Sequence, residues 1–225
     1  MEKRIEVRVP AGPLLLEGSL SLPEGAQGIV LFAHGSGSSR FSPRNRHVAR
    51  MLNQAPLATL LIDLLTSDEE AIDLRTAHLR FDIGLLAERL VTATDWLKQY
   101  PETRCLQLGY FGASTGAGAA LVAAASRPQI VRAVVSRGGR ADLAGPALTG
   151  VRVATLLIVG GNDSQVIELN QMALAQLRCE KQLVIVPGAS HLFEEPGTLD
   201  QVAQLARSWF ERHLIMAEAH SDPGS

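Results

Sequence analysis

The sequence predicts an α/β protein with a doubly wound, mostly parallel sheet of about eight strands flanked by helices. Short, continuous runs of β-branched residues and leucine are typical of strands buried on both faces. Segments with apolar residues at intervals of three and four alternate with these runs, which indicates amphipathic helices. No repeat or linker divides the 225 residues. We therefore expect one domain over residues 1–216, followed by a tail.

The first two predicted strands form an antiparallel pair. Residues 5–9 alternate in polarity, residues 14–22 are largely apolar, and a turn sequence rich in proline and glycine separates them. This pair is expected to form one edge of the sheet.

The remaining strands and helices alternate along the chain. The predicted strands span residues 28–33, 57–62, 105–111, 130–135, 154–159 and 182–186. The predicted helices span residues 43–53, 79–98, 115–126, 165–177 and 199–213. The segment 137–153 is too short for a lid domain, so we expect an open cleft. The tail, residues 217–225, has too little apolar surface to offset the cost of ordering it, and disorder is expected there.

Charge and composition narrow the classes of partner. The chain has 21 basic and 23 acidic side chains, so its global charge favours neither nucleic acid nor an anionic membrane. The first residues lack a signal-like apolar run, and no segment has the roughly 20 apolar residues of a membrane span. A cytoplasmic protein is expected. Two cysteines, Cys105 and Cys179, are too few for a disulfide framework or a metal cluster, so we expect structural thiols and no metal or cofactor.

A strand-to-helix turn carries the first chemical signal. The predicted strand 105–111 runs into Gly-Ala-Ser-Thr-Gly at 112–116 and then into a helix of small residues. Small neighbours allow the sharp, strained turn that presents a nucleophilic serine at the top of a sheet. We interpret Ser114 as a nucleophile, although glycine-rich turns of this kind also occur without catalysis.

Two backbone N–H groups are candidates for an oxyanion hole. Thr115 opens the helix behind Ser114, where the helix dipole favours negative charge. The loop after the strand 28–33 supplies the second donor, assigned to Ser36 with Gly37 as the alternative. His34, which begins this loop, is expected to hydrogen-bond the loop backbone rather than act as a base.

Two later strand ends supply the other members of a triad. Asp163 follows the strand 154–159, and His191 follows the strand 182–186, so the chain order is serine, aspartate, histidine. Asp163 is the expected acid and His191 the expected base. Taken alone, Asp163 also fits a helix cap.

The motifs at 34–40, 112–116, 161–163 and 188–191 resemble the dienelactone-hydrolase-like branch of the α/β-hydrolase superfamily, over about residues 4–214. The resemblance implies an α/β-hydrolase fold without a lid and hydrolysis of esters or lactones. In some relatives of this branch, a related domain is fused to a phosphoribosyltransferase, and the resemblance implies such a fusion only as a possible context. Dienelactone hydrolase proper uses a cysteine where this chain has Ser114, so activity on dienelactone itself is not expected.

The expected reaction is hydrolysis of small, soluble carboxylic esters or lactones through an acyl-enzyme, by a monomer or homodimer. Arg40 and Arg137 stand in strand-end loops and are the candidates for binding an anionic substrate. Surface roles are expected for Arg44, Arg46 and Arg140.

Three alternatives stay open at this point. The fold could serve a catalytically silent protein, or an acyltransferase in which another nucleophile replaces water. A nucleotide-binding site is also conceivable, because Gly35 and Gly37 follow one strand and Asp63 ends the next. That reading leaves the serine, aspartate and histidine unexplained.

Overall fold

The computed structural model describes residues 3–215, so the predicted tail at 217–225 lies outside the described residues. Within this range the strands form one eight-stranded sheet in the order β1-β2-β4-β3-β5-β6-β7-β8. The strands are β1 Lys3–Ala11, β2 Leu14–Leu22, β3 Gly28–Ala33, β4 Leu57–Ile62, β5 Gln107–Ala113, β6 Val131–Arg137, β7 Ala154–Gly160 and β8 Lys181–Val186. The predicted fold class is confirmed.

The β1 and β2 strands pair antiparallel at one edge, as predicted, and β2 pairs antiparallel with β4. All other neighbouring strands are parallel. The carboxyl ends of the parallel strands therefore meet at one edge, where ligands of such folds bind.

Helices cover both faces of the sheet. They are α1 Pro43–Asn53, α2 Ser67–Thr76, α3 Ile83–Leu97, α4 Thr115–Ser126, α5 Ser164–Gln176 and α6 Thr198–Leu214. Short 3-10 helices span Leu79–Phe81 and Ala141–Gly150. The helices α3, α4 and α5 pack on one face, and α1 and α6 pack on the other. Alternate residues of β3 enter the two cores, which explains its uninterrupted apolar sequence.

The helix α2 was not predicted from the apolar pattern. Its Ile72 and Leu74 are exposed, so it has no apolar stripe facing a core. A polar signal was present, because Thr66 and Glu69 form a capping box at its start.

Two predicted elements have different bounds. The predicted helix 79–98 is divided, because the Asp82 side chain accepts the N–H of Leu85 and begins α3 afresh. The strand predicted from residue 105 begins at Gln107, and Cys105 is exposed in the preceding turn. No helix within residues 3–215 is long and apolar enough to cross a membrane.

Candidate active site

Ser114 occupies a strained backbone position between β5 and α4. Its φ is 49° and its ψ is −124°, a conformation that non-glycine residues rarely adopt. The neighbouring glycines make this turn possible. A Cβ on Gly112 would lie 2.5 Å from the Cα of Ala117, and a Cβ on Gly116 would collide with the carbonyl of Ala33. The turn thus has the shape of a nucleophile elbow.

Asp163 and His191 form a direct pair. His191 Nδ1 lies 2.7 Å from Asp163 Oδ2, with the imidazole 38% exposed and the carboxylate 16% exposed. Asp163 stands at the N-cap position of α5, yet its side chain makes no capping hydrogen bond. The cap interpretation therefore does not explain this aspartate, whose carboxylate is directed at the imidazole instead.

The loops that carry Asp163 and His191 are bonded to each other. The N–H of Asn162 donates to the carbonyl of Ala189 at 2.9 Å, and its side-chain amide donates to the carbonyl of Gly188 at 2.9 Å. Glu195 Oε2 accepts the N–H of Ser190 at 3.0 Å, and this bond lowers the pKa of Glu195. These contacts fix the position of His191 relative to the end of β7.

The end of β6 lies between Ser114 and His191. The N–H of Ser114 donates to the carbonyl of Arg137 at 3.4 Å. A Cβ on Gly138, which has a φ of 50°, would lie 2.9 Å from the carbonyl oxygen of His191 and 3.7 Å from its Cε1. The hydroxyl of Ser114 makes no hydrogen bond within residues 3–215. The contact expected between Ser114 and His191 is thus not formed in this structure, as is common for catalytic pairs before substrate binds.

The structure brings together the two predicted oxyanion donors, but one is already engaged. The N–H of Ser36 donates to Thr115 Oγ1 at 3.0 Å, and a Cβ on Gly35 would lie 2.9 Å from Ser114 Cβ. The loop is therefore close to Ser114. For Ser36 to stabilise an oxyanion, its N–H must exchange the Thr115 hydroxyl for a substrate oxygen.

His34 shapes the loop, as the sequence predicted. Its Nε2 accepts the N–H of Leu64 at 3.1 Å, so the proton of the neutral ring resides on Nδ1 and is donated to the carbonyl of Gly35 at 3.0 Å. The ring is 7% exposed, and both nitrogens are occupied. His34 is not available as a base.

A cavity of about 230 Å³ adjoins the loop after β3 that carries Ser36. Its walls combine this loop with α2, the segments on either side of α2, and one residue each of α3 and α4. The lining includes Ser36, Ser38, Ser39, Leu65, Glu70, Asp73, Leu74, Arg80, Leu86 and Thr115. Asp73 is held by Arg80, whereas burial and the charge of Asp63 raise the pKa of Glu70. This wall was not predicted, because α2 itself was not predicted from the apolar pattern.

The Arg40 side chain is engaged by carboxylates and does not line the cavity beside Ser36, which corrects its predicted role in substrate binding. Its guanidinium bonds to Asp63 and lies 3.5 Å from Glu17 and 3.7 Å from Glu6. Its backbone N–H also donates to Asp63 at 2.6 Å. Since both oxygens of Asp63 are bound by Arg40, Asp63 is not free to bind a ribose, and the nucleotide-binding alternative loses its acidic residue.

The structure places the other arginines individually. Arg137 is the last residue of β6 and is 7% exposed beside the backbone of Ser114. Arg140 pairs with Asp142 at 2.8 Å, as expected. Arg44 is not a simple solvated residue, because it contacts Glu194 at 3.2 Å and its Nε is buried. Within residues 3–215, no cluster of three or more metal-ligating side chains is found.

Solved structures of α/β hydrolases are similar to this chain. A dienelactone hydrolase from Anabaena variabilis is 66% identical, with a TM-score of 0.93 over 95% of this chain and 99% of that one. A lidless α/β serine hydrolase from Xanthomonas campestris is 19% identical, with a TM-score of 0.74 over 96% of this chain and 97% of that one, and shows the shared fold.

A Mycobacterium tuberculosis H37Rv protein, provisionally named a phosphoribosyl transferase, is 61% identical over 209 residues. The match covers 93% of this chain and 46% of that protein, so the chain spans about half the length of this curated relative. No family model matches the chain.

Proposed function

This chain belongs to the dienelactone hydrolase family of α/β hydrolases, and from that premise we propose that it is a serine hydrolase of small, soluble carboxylic esters or lactones. The observation that carries the proposal is the pairing of His191 with Asp163, opposite a serine held in the strained turn after β5. A histidine oriented in this way can act as a general base.

The mechanism assigns one role to each side chain. Ser114 attacks the acyl carbonyl while His191 takes its proton at Nε2, the nitrogen not engaged by Asp163. Asp163 holds the proton of His191 on Nδ1 and stabilises the imidazolium. His191 then protonates the leaving group, and a water activated by the same base releases the acid from the acyl-enzyme.

Charge develops on the substrate oxygen during each step. Thr115 begins α4, so its N–H has no acceptor within the helix and lies at the positive end of the dipole. This N–H and that of Ser36 are the proposed oxyanion donors, with Gly37 as the alternative. Each such donor commonly contributes about 10²- to 10³-fold in rate.

The cavity supports a preference for small substrates. Its volume of about 230 Å³ leaves little apolar surface for a long acyl chain. We expect activity to peak at short acyl groups, without interfacial activation.

The decisive variant is Ser114→Ala, which removes the nucleophile and leaves the fold intact. We expect kcat for a short 4-nitrophenyl ester to fall by several orders of magnitude and labelling by a fluorophosphonate to disappear. Ser126→Ala, at the exposed end of the same helix, is the matched control and should retain both. Near-normal turnover by folded Ser114→Ala would contradict the proposal.

The same reagents separate the alternatives. A catalytically silent protein leaves the fluorophosphonate unreacted, whereas an acyltransferase reacts with it but transfers the acyl group to an added alcohol or amine in preference to water. Product analysis with and without such an acceptor distinguishes transfer from hydrolysis.

A further inference from the structure

The cavity beside Ser36 contains a carboxylate that has no bonded partner among the described residues. Glu70 lies in the first turn of α2 and lines this cavity together with Ser36 and Thr115. Its carboxylate makes no hydrogen bond or ion pair within residues 3–215. Burial, followed by the charge of Asp63, raises its pKa, as expected for a carboxylate without a cation in contact. Glu70 is therefore available to a bound molecule.

The acidic side chains around Glu70 are already neutralised. Each is bonded to an arginine, in the pairs Glu69–Arg89, Asp63–Arg40 and Asp73–Arg80. Arg40 and Arg80 act on Glu70 only through space, and less strongly than burial does. Because Asp73 and Arg80 compensate each other in the cavity lining, the negative charge of Glu70 is left over.

The position of the cavity indicates which part of an ester enters it. In the proposed mechanism His191 protonates the leaving group, which must therefore lie next to the loop after β8. His191 does not line the cavity, whose walls come from the loop after β3, from α2 and its flanking segments, and from the first turns of α3 and α4. When the carbonyl oxygen lies at the N–H groups of Ser36 and Thr115, the acyl part is the substituent that can enter.

The rest of the lining defines the size and polarity of that acyl part. Leu65, Leu74 and Leu86 provide apolar contacts, and a volume of about 230 Å³ suits a short chain. An ionised carboxylate accepts hydrogen bonds and donates none, so its complement on the chain is a hydroxyl or an ammonium group. A second carboxylate would be repelled by Glu70, and water screens such repulsion less in a partly closed site than in bulk solution.

We propose that Glu70 selects esters and lactones whose acyl part carries a hydrogen-bond donor, a hydroxyl or an ammonium group, and disfavours acyl parts that end in a carboxylate. The proposal rests on the proposed hydrolase function and names the class of acyl group for its cavity. Neither Arg40 nor Arg137 lines this cavity, and Arg80, which does, is bound by Asp73.

The first test compares propanoyl ethyl esters that differ only in the group on the terminal carbon, which is ammonium, hydroxyl, methyl or carboxylate. Acid release is followed by titration at neutral pH and low ionic strength. Glu70→Gln keeps the size of the side chain and removes its charge. It should raise KM about tenfold for the ammonium ester, lower it for the carboxylate ester and leave the methyl ester and kcat little changed. The hydroxyl ester should show a smaller rise in KM, since the glutamine amide can still accept its hydrogen bond.

Two further variants keep this test interpretable. Asp68→Asn is the matched control, because it removes an exposed carboxylate from the same helical turn, outside the cavity, and should leave every KM unchanged. Glu70→Lys should reverse the order and favour the carboxylate ester over the ammonium ester. Such a reversal cannot arise from a loosened α2 alone. An equal shift from Asp68→Asn would assign the effect to the overall charge of α2 and overturn the proposal.

A binding measurement separates this proposal from the proposed function. The ammonium ester is titrated by calorimetry into the Ser114→Ala protein and into Ser114→Ala combined with Glu70→Gln, and the second protein should bind it about tenfold more weakly. If no ester is hydrolysed, the proposed function fails, and the titration still decides whether Glu70 binds the donor group. Equal changes in KM for the ammonium and methyl esters, or equal binding by the two proteins, would overturn selection by Glu70.

Discussion

Arginines at the two halves of one sheet edge, where the carboxyl ends of the parallel strands meet, differ in their counterions. On the β2, β3 and β4 side, Arg40 is bound by Asp63 and flanked by Glu6 and Glu17, so its charge is locally balanced. On the β5 to β8 side, Arg137 has no acceptor within residues 3–215. Arg40 lies in the loop after β3 and Arg137 ends β6, but only Arg40 has counterions within residues 3–215.

The same contrast holds for two aspartates that follow buried strands. Asp63 is saturated by Arg40, whereas Asp163 orients an imidazole whose second nitrogen is left for the reaction. Unused hydrogen-bonding capacity is costly to maintain in a folded protein, and it is expected to persist where function needs it. Charged groups that pair with each other, such as Arg40 and Asp63, are expected to have a structural role.

The largest expected effect comes from exchanging each aspartate for asparagine. Asp163→Asn should lower kcat by roughly 10²- to 10⁴-fold, because the asparagine favours the wrong tautomer of His191. Asp63→Asn should reduce the free energy of unfolding by about 2 kcal/mol, since it weakens a largely buried pair with Arg40, and should affect kcat far less. Ester kinetics and urea unfolding of both variants check these outcomes.

One result would contradict the assignment of Asp163 as the acid partner of His191. If Asp163→Asn keeps full activity while Asp142→Asn loses it, the acid assignment is wrong. In this structure Asp142 binds Arg140, so we expect Asp142→Asn to retain its turnover.

The two arginines should respond to Met with opposite signs. Arg40→Met leaves Asp63 buried without its partner and should destabilise the protein by about 2–3 kcal/mol. Arg137→Met replaces an uncompensated buried cation with an apolar side chain, so without added anions it should be neutral or stabilising by about 1 kcal/mol. Urea unfolding in a buffer free of phosphate measures both.

Arg132→Met, which replaces an exposed arginine of the same strand β6, provides the control for this pair. It should change the free energy of unfolding little. Destabilisation by Arg137→Met of the same size as by Arg40→Met would show that both arginines stabilise the folded protein, and would contradict the contrast drawn here.

Ser114, Asp163 and His191 could be singled out as candidates because their sequence signals are local. The strand runs before Ser114, Asp163 and His191 are continuous, and parallel strand ends converge in space whatever the loop lengths. The sharp turn at Ser114 was readable from its glycines. The helix α2 was not predicted, because exposed Ile72 and Leu74 give it no helical apolar stripe.

The sequence could not separate Arg40 from Arg137. The acids around Arg40 come from β1, β2 and the end of β4, so only the fold brings them to it. The isolation of Arg137 is equally a property of the packed structure. The hydrogen bond from the Ser36 N–H to Thr115 could not be predicted either, since it joins a loop to the first residue of α4, 79 residues later in the chain.

The smallest expected effect concerns that last bond, between the Ser36 N–H and Thr115 Oγ1. Thr115→Val keeps the volume but removes the hydroxyl, which leaves the part-buried N–H of Ser36 without its acceptor and frees the loop next to Ser114. We expect kcat to fall about tenfold with KM little changed, and Thr115→Ser to restore it, because the bond positions an oxyanion donor. The Ser36 N–H bonds more strongly to a charged oxyanion than to a neutral hydroxyl. The oxyanion should therefore displace Thr115 Oγ1 as acceptor with little loss of rate. A rise in kcat for Thr115→Val would mean the reverse, that the hydroxyl blocks the Ser36 N–H. This N–H would then have a purely structural partner, as the guanidinium of Arg40 has in Asp63.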